Sequence, residues 1–169
     1  DSFVLGSFLY VPIVDWDGGA QTATSQSIVK FNISDLTYDS HFDVSAQTAC
    51  NCSGLASSPD ETEIYCTSFF NGVTTDPRST DIYRFDMSTG AFLGIITLDV
   101  GNVGTQGLTF DGNNWFLSSW DSVSTGRIVA YNAAFEQQTI LDPTGSNSEM
   151  EGMAFYDGVV YFHDAVSTV

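Results

Sequence analysis

The chain has 169 residues, 43% hydrophobic and 14% aromatic, enough for one domain with a sizeable core and too apolar for a disordered acidic tail. Its 21 acidic side chains against Lys30, Arg78, Arg84 and Arg127 give a net charge of −17, a surface that repels nucleic acid and anionic membranes. No apolar run reaches the roughly 18 residues of a membrane-spanning helix.

In chain order, the first strand expected is Phe8-Leu9-Tyr10-Val11, followed by Asp15-Trp16-Asp17-Gly18-Gly19. The carboxylates of Asp15 and Asp17, two apart before glycines, begin a calcium-loop pattern that lacks the distal Glu; a solvated loop is the plainer reading. Next come Ile28-Val29-Lys30-Phe31-Asn32 and a short strand at Leu36-Thr37-Tyr38. His41 falls on that outer strand, facing solvent. Cys50, Cys52 and Cys66 are the three cysteines. A hairpin turning at Ser58-Pro59-Asp60 brings Cys52 opposite Cys66 within two residues, so a Cys52–Cys66 disulfide is expected, with Cys50 as rival and three buried thiols as the bland alternative.

The strand Ile64-Tyr65-Cys66-Thr67 leads to Ile82-Tyr83-Arg84-Phe85-Asp86 and then Phe92-Leu93-Gly94-Ile95-Ile96. Gly107-Leu108-Thr109-Phe110-Asp111-Gly112 turns into Trp115-Phe116-Leu117-Ser118, and Ile128-Val129-Ala130-Tyr131-Asn132 is followed by Gln138-Thr139-Ile140-Leu141. Gly152-Met153-Ala154-Phe155-Tyr156-Asp157-Gly158 turns into Val159-Val160-Tyr161-Phe162. Asp-Gly pairs between such runs signal tight hairpins. One unit therefore recurs: a Gly-led strand, an aromatic strand, an Ile-x-x-aromatic-Asn/Asp strand and an outer strand. Periods near 50 residues indicate propellers or other arrays.

The stretch from Asp81 to Gly94, followed by Gln106-Gly107-Leu108-Thr109-Phe110-Asp111-Gly112-Asn113, resembles the β-propeller superfamily of NHL-type and related secreted propellers. The resemblance covers most of residues 54 to 162 and implies an all-β fold of four-stranded antiparallel blades. Blades are expected at about 1–46, 47–100 and 101–144, with a half-blade at 145–169. A ring of the usual four to eight blades is thus incomplete within the chain. Three explanations stand: a longer protein, two copies joined in one ring, or an edge completed by strands from a neighbour. A start at Asp1 without Met is read as a processed secreted protein or as a fragment.

By the same resemblance, the residue before each leading Gly faces the channel, which places Ser53, Gln106 and Glu151 around the axis. Such rings hold calcium in propeller lactonases and phytases, so Glu149 and Glu151 join Asp15 and Asp17 as candidate calcium ligands. Trp16 and Trp120, each beside an Asp at the end of an aromatic strand, form a candidate ligand platform. His163-Asp164 has the makings of a general base, but no nucleophile motif accompanies it. Asn32-Ile33-Ser34 and Asn51-Cys52-Ser53 are glycan acceptors. The function expected is a secreted, extracellular, non-catalytic module for protein–protein interaction or structural assembly, partnered by its own copies or a chain that completes the sheet edge. A calcium-dependent propeller hydrolase of small esters or phosphates is the alternative.

Overall fold

The computed structural model describes residues 1–17, 22–47, 52–68, 81–98, 104–120, 126–141 and 149–165, which form strands and turns and no helix. The first sheet contains β1 (Phe3–Leu5), β2 (Phe8–Asp17), β3 (Thr22–Asn32) and β4 (Tyr38–Asp43). The second contains β5 (Cys52–Ser57), β6 (Glu63–Ser68), β7 (Asp81–Asp86) and β8 (Phe92–Thr97). The third contains β9 (Gly104–Phe110), β10 (Asn114–Trp120), β11 (Gly126–Asn132) and β12 (Gln137–Leu141). The fourth contains β13 (Glu149–Tyr156) and β14 (Val159–Ala165). Strands follow sequence order in every sheet, all pairings are antiparallel, and no sheet closes on itself. This is the connectivity of consecutive propeller blades.

The packing explains the repeated motif. Residues three apart on a strand point to opposite faces, because side chains alternate. The Ile of the motif therefore meets the following sheet, and in the second and third sheets the aromatic meets the preceding one. Ile82 packs with Leu108 and Trp115 of the third sheet, whereas Phe85 packs with Tyr10 and Ile28 of the first. Ile128 meets Met153 of the fourth sheet, and Tyr131 on the other face joins Ala56 and Ile82 of the second. Each such side chain, fully buried, contributes about 1.5–3 kcal/mol.

The terminal Asn or Asp of the motif ends the strand by bonding the turn. Asp86 Oδ1 accepts the backbone N–H groups of Ser88 and Thr89 at 3.0 and 2.8 Å, and Asn132 Oδ1 accepts those of Ala134 and Glu136 at 3.0 and 2.9 Å. These are the local bonds that make Asx residues turn formers. Hydroxyls of Ser88 and Thr89 add to the amides, holding the Asp86 carboxyl down at about 2.

One further hydrogen bond joins the first and second sheets, and a disulfide within the second lies beside it. Gln26, 2% exposed, accepts the backbone N–H of Cys52 through Oε1 at 2.9 Å. The Cys52–Cys66 disulfide lies in the same apolar layer. The register differs from the expected one: the hairpin turns over residues 59–62, so Cys66 faces Leu55, and beyond a bulge between Cys52 and Gly54 Cys52 faces Ser68. The disulfide therefore spans the strands diagonally, with Cα atoms 5.6 Å apart.

Candidate functional site

Two regions concentrate what the fold leaves to be used: the axis where the inner strands meet, and the open end at the fourth sheet. At the axis, β1, β5, β9 and β13 lie side by side. The glycines leading three of these strands are needed for that approach. A Cβ on Gly54 would collide with the Gln106 carbonyl oxygen, and one on Gly107 would come within 2.5 Å of an Asp1 carboxylate oxygen and 2.8 Å of Ser118 Oγ. The Asp1 carboxylate accepts the Met153 backbone N–H at 3.0 Å, and the Asp1 nitrogen donates to the Ser53 carbonyl at 2.7 Å. One residue of the first sheet's leading segment thus touches the second and fourth sheets.

Two members of the expected channel ring lie at this joint. The Ser53 hydroxyl is turned into the joint with the third sheet, near Thr67 Oγ1 at 3.1 Å and donating to the Thr105 carbonyl at 3.2 Å. Gln106 is 9% exposed, and its carbonyl accepts the Thr67 hydroxyl at 2.8 Å. The Ser53 hydroxyl and the Gln106 backbone carbonyl thus stitch neighbouring blades. Glu149 and Glu151 belong to β13, but their side chains lie outside the described residues. Asp15 and Asp17 are strand residues of β2 paired with Ser25 and Thr22, not a loop, because β2 and β3 continue past the predicted strand ends. Among the described residues no three Asp, Glu, His or Cys side chains gather as a metal site. Trp16 and Trp120 fall within β2 and β10, and their side chains are outside the described set, as is Asn51. Asn32 is half-buried at a turn, its Nδ2 donating to Thr37 Oγ1 at 3.3 Å. His41 is exposed on β4, with Nδ1 2.8 Å from the Tyr38 hydroxyl.

A cleft of about 600 Å³ opens at the turn ends of the inner strands, between Phe3, Leu55, Pro59, Leu108, Phe110 and Phe155. Its carboxylates, Glu61 and Asp111, sit in hairpin turns. Burial raises the Asp111 pKa, but the N–H groups of Asn114 and Asn113 outweigh this, so the group titrates below the usual carboxylate range. Those bonds tie the carboxylate to its own turn.

The open end has a more specific geometry. In the first three sheets the second strand is flanked by two partners, one of them the motif strand: β2 by β3, β6 by β7, β10 by β11. In the fourth sheet β13 is the one partner of β14 among the described residues. Along β14 stand Val159, Tyr161 and Phe162, exposed by 49%, 55% and 42%. His163 takes the position that Thr67 and Ser118 hold in their sheets, one residue past the partners of Leu55, Leu108 and Met153. Sequence reasoning found this edge by counting motif copies. It missed the role of Asp1, for which no local pattern exists.

Sheets of four ordered antiparallel strands, stacked face to face with their inner strands around an axis, define a β-propeller, here in part. Among solved structures the chain is similar to BamB from Moraxella catarrhalis, with TM-score 0.53 and 12% identity over 95% of this chain and 38% of that one. It is also similar to the β-propeller domain of the Trilobed protease from Pyrococcus furiosus, at TM-score 0.49, 12% identity, 89% of this chain and 43% of that one. A europium-containing methanol dehydrogenase aligns at TM-score 0.47 and 14% identity over 85% of this chain and 24% of that one. The chain spans less than half the length of each. The likeness is one of fold. No protein-family model matches the chain, and no curated protein matches it in sequence.

Proposed function

We propose that this chain is a non-catalytic, extracellular β-propeller module for protein–protein interaction or structural assembly, which takes a partner's strand along β14. The observation that carries this reading is the edge itself. β14 occupies the position that pairs with an Ile-x-x-aromatic strand in each of the other sheets, and Val159, Tyr161 and Phe162 along it are exposed. Strand addition at such an edge satisfies backbone N–H and C=O groups while pockets for alternate side chains select the partner. The Cys52–Cys66 disulfide supports an oxidising compartment, and a glycan on Asn32 would fit the same location.

A synthetic peptide copying residues 126–141, the third and fourth strands of the third sheet, tests the proposal by calorimetric titration. Saturable binding is expected, lost in a peptide carrying Ala130→Pro, since proline removes a ladder donor. Absence of binding by the parent peptide would contradict it. The calcium-dependent hydrolase reading is separable: it requires heat or thermal stabilisation on calcium titration, which the assembly reading does not.

A further inference from the structure

The other end of the array carries a second unpartnered surface. On the face of the first sheet that points away from the second, cross-strand pairs place Val4 beside Leu9, Leu9 beside Phe31, Val11 beside Val29, and Phe31 beside Tyr38. These are the register positions at which the next two sheets bury their strongest apolar pairs. Leu9–Phe31 corresponds to Ile64–Phe85 and Trp115–Tyr131, and Val11–Val29 corresponds to Cys66–Tyr83 and Leu117–Val129. All eight of those second- and third-sheet residues are at most 2% exposed, packed against a preceding sheet. In the first sheet Val4 and Tyr38 are each 58% exposed.

The fourth sheet presents the matching half of such an interface. Tyr161 lies opposite Ala154, as Tyr65 lies opposite Ala56 in the second sheet. Tyr65 packs on Trp115 of the following sheet with ring centroids 5.2 Å apart, whereas Tyr161 is 55% exposed. Beside it runs a groove of about 430 Å³ lined by Ser2, Met153, Ala154, Tyr161 and His163, with Asp1 at one side.

We propose that the two end faces bind each other between copies: the first sheet of one copy packs as the next blade on the fourth sheet of a second copy. This rests on the assembly reading above but uses a sheet face, not the β14 edge. One argument selects a second copy as the occupant. The joint continues the blade-to-blade packing already made three times within the chain. The patch is apolar at its centre, with His41 opposite Val29 and Asp43 opposite Ser27 on the same face. Copies related by a two-fold axis make two such contacts at once and bring eight sheets, four from each, around one axis, within the range of about four to eight known for propellers. Their like charge opposes association, so salt strengthens it.

The test is light scattering on the 169-residue chain at low and at about 0.5 M salt. The expected result is a mass twice 18.3 kDa, with the dimer fraction rising with salt. Val4→Asp and Tyr161→Asp, both at exposed positions, should each give a folded monomer by circular dichroism. Mixing the two variants should restore a 1:1 dimer, because each keeps the face that the other has lost. A monomeric parent chain, dimers that survive either substitution, or a mixture that stays monomeric would overturn the proposal. Val4→Asp leaves β14 intact and should still bind the 126–141 peptide, so loss of dimerisation and loss of strand addition are read separately.

Discussion

Tyr65 and Tyr161 occupy the same register position on the second strands of their sheets, each opposite an alanine, yet Tyr65 stacks beside Trp115 and Tyr161 is 55% exposed. The difference lies in the neighbour, not in the residue. A side chain suited to an inter-blade joint is displayed at the end of the described array. Exposed aromatic surface beside an open strand edge is the feature from which the assembly reading grows.

The disulfide is expected to be a principal local staple. Cys52 and Cys66 are 14 residues apart in sequence, and closing a loop of that size removes about 3 kcal/mol of chain entropy from the unfolded state. Cys52→Ser with Cys66→Ser should lower unfolding free energy by about that amount in urea titration. Peptide mapping of the unreduced protein should recover Cys52 linked to Cys66.

Gly54 tests the close approach of the inner strands. Gly54→Ala places a methyl group against the Gln106 carbonyl and near Thr67 Oγ1, at a joint built from backbone. Overpacking of this kind costs about 1–3 kcal/mol, measured as a lowered denaturation midpoint. Gly112→Ala makes a useful comparison, since its cost comes from a positive φ of 98° with open space around it.

Acid should act through the turn carboxylates. Ser88 and Thr89 hold Asp86 at about 2, below its ordinary 3.8. Side-chain and backbone donors also lower Asp35, Asp43 and Asp60. A depressed folded pKa contributes stability above the unfolded value and loses it as pH falls toward the folded one. The Asp86 contribution is therefore full above about pH 4 and fades toward pH 2. Asp86→Asn should flatten this part of the stability curve relative to the parent chain, as measured by thermal unfolding between pH 2 and pH 6.

The strands that define the blades were legible because period-two apolar runs and Asp-Gly turns are local signals, and the motif's Ile and aromatic face opposite neighbours. Features set by distant contacts were not. The hairpin turns over residues 59–62, which sets Cys66 opposite Leu55, and a bulge after Cys52 then shifts Cys52 by one; neither is announced by the residues at those positions. β2 and β3 run as far as Asp17 and Thr22, so Asp15 and Asp17 become strand residues although glycines follow them. Ser53 and Gln106 look like channel polar groups in sequence. Their bonds to the neighbouring sheet follow from strand spacing that only the folded chain reveals.

The edge of β14 is expected to accept a further strand. Hydrogen–deuterium exchange across β14 with and without the 126–141 peptide tests it most directly, because amides at an unpaired edge exchange with solvent and ladder-bonded ones are protected. Slowed exchange is expected at alternate residues between Val159 and Ala165 in the presence of the peptide, and no slowing with its Ala130→Pro form. Peptide-independent exchange along β14, or protection confined to another sheet, would contradict it.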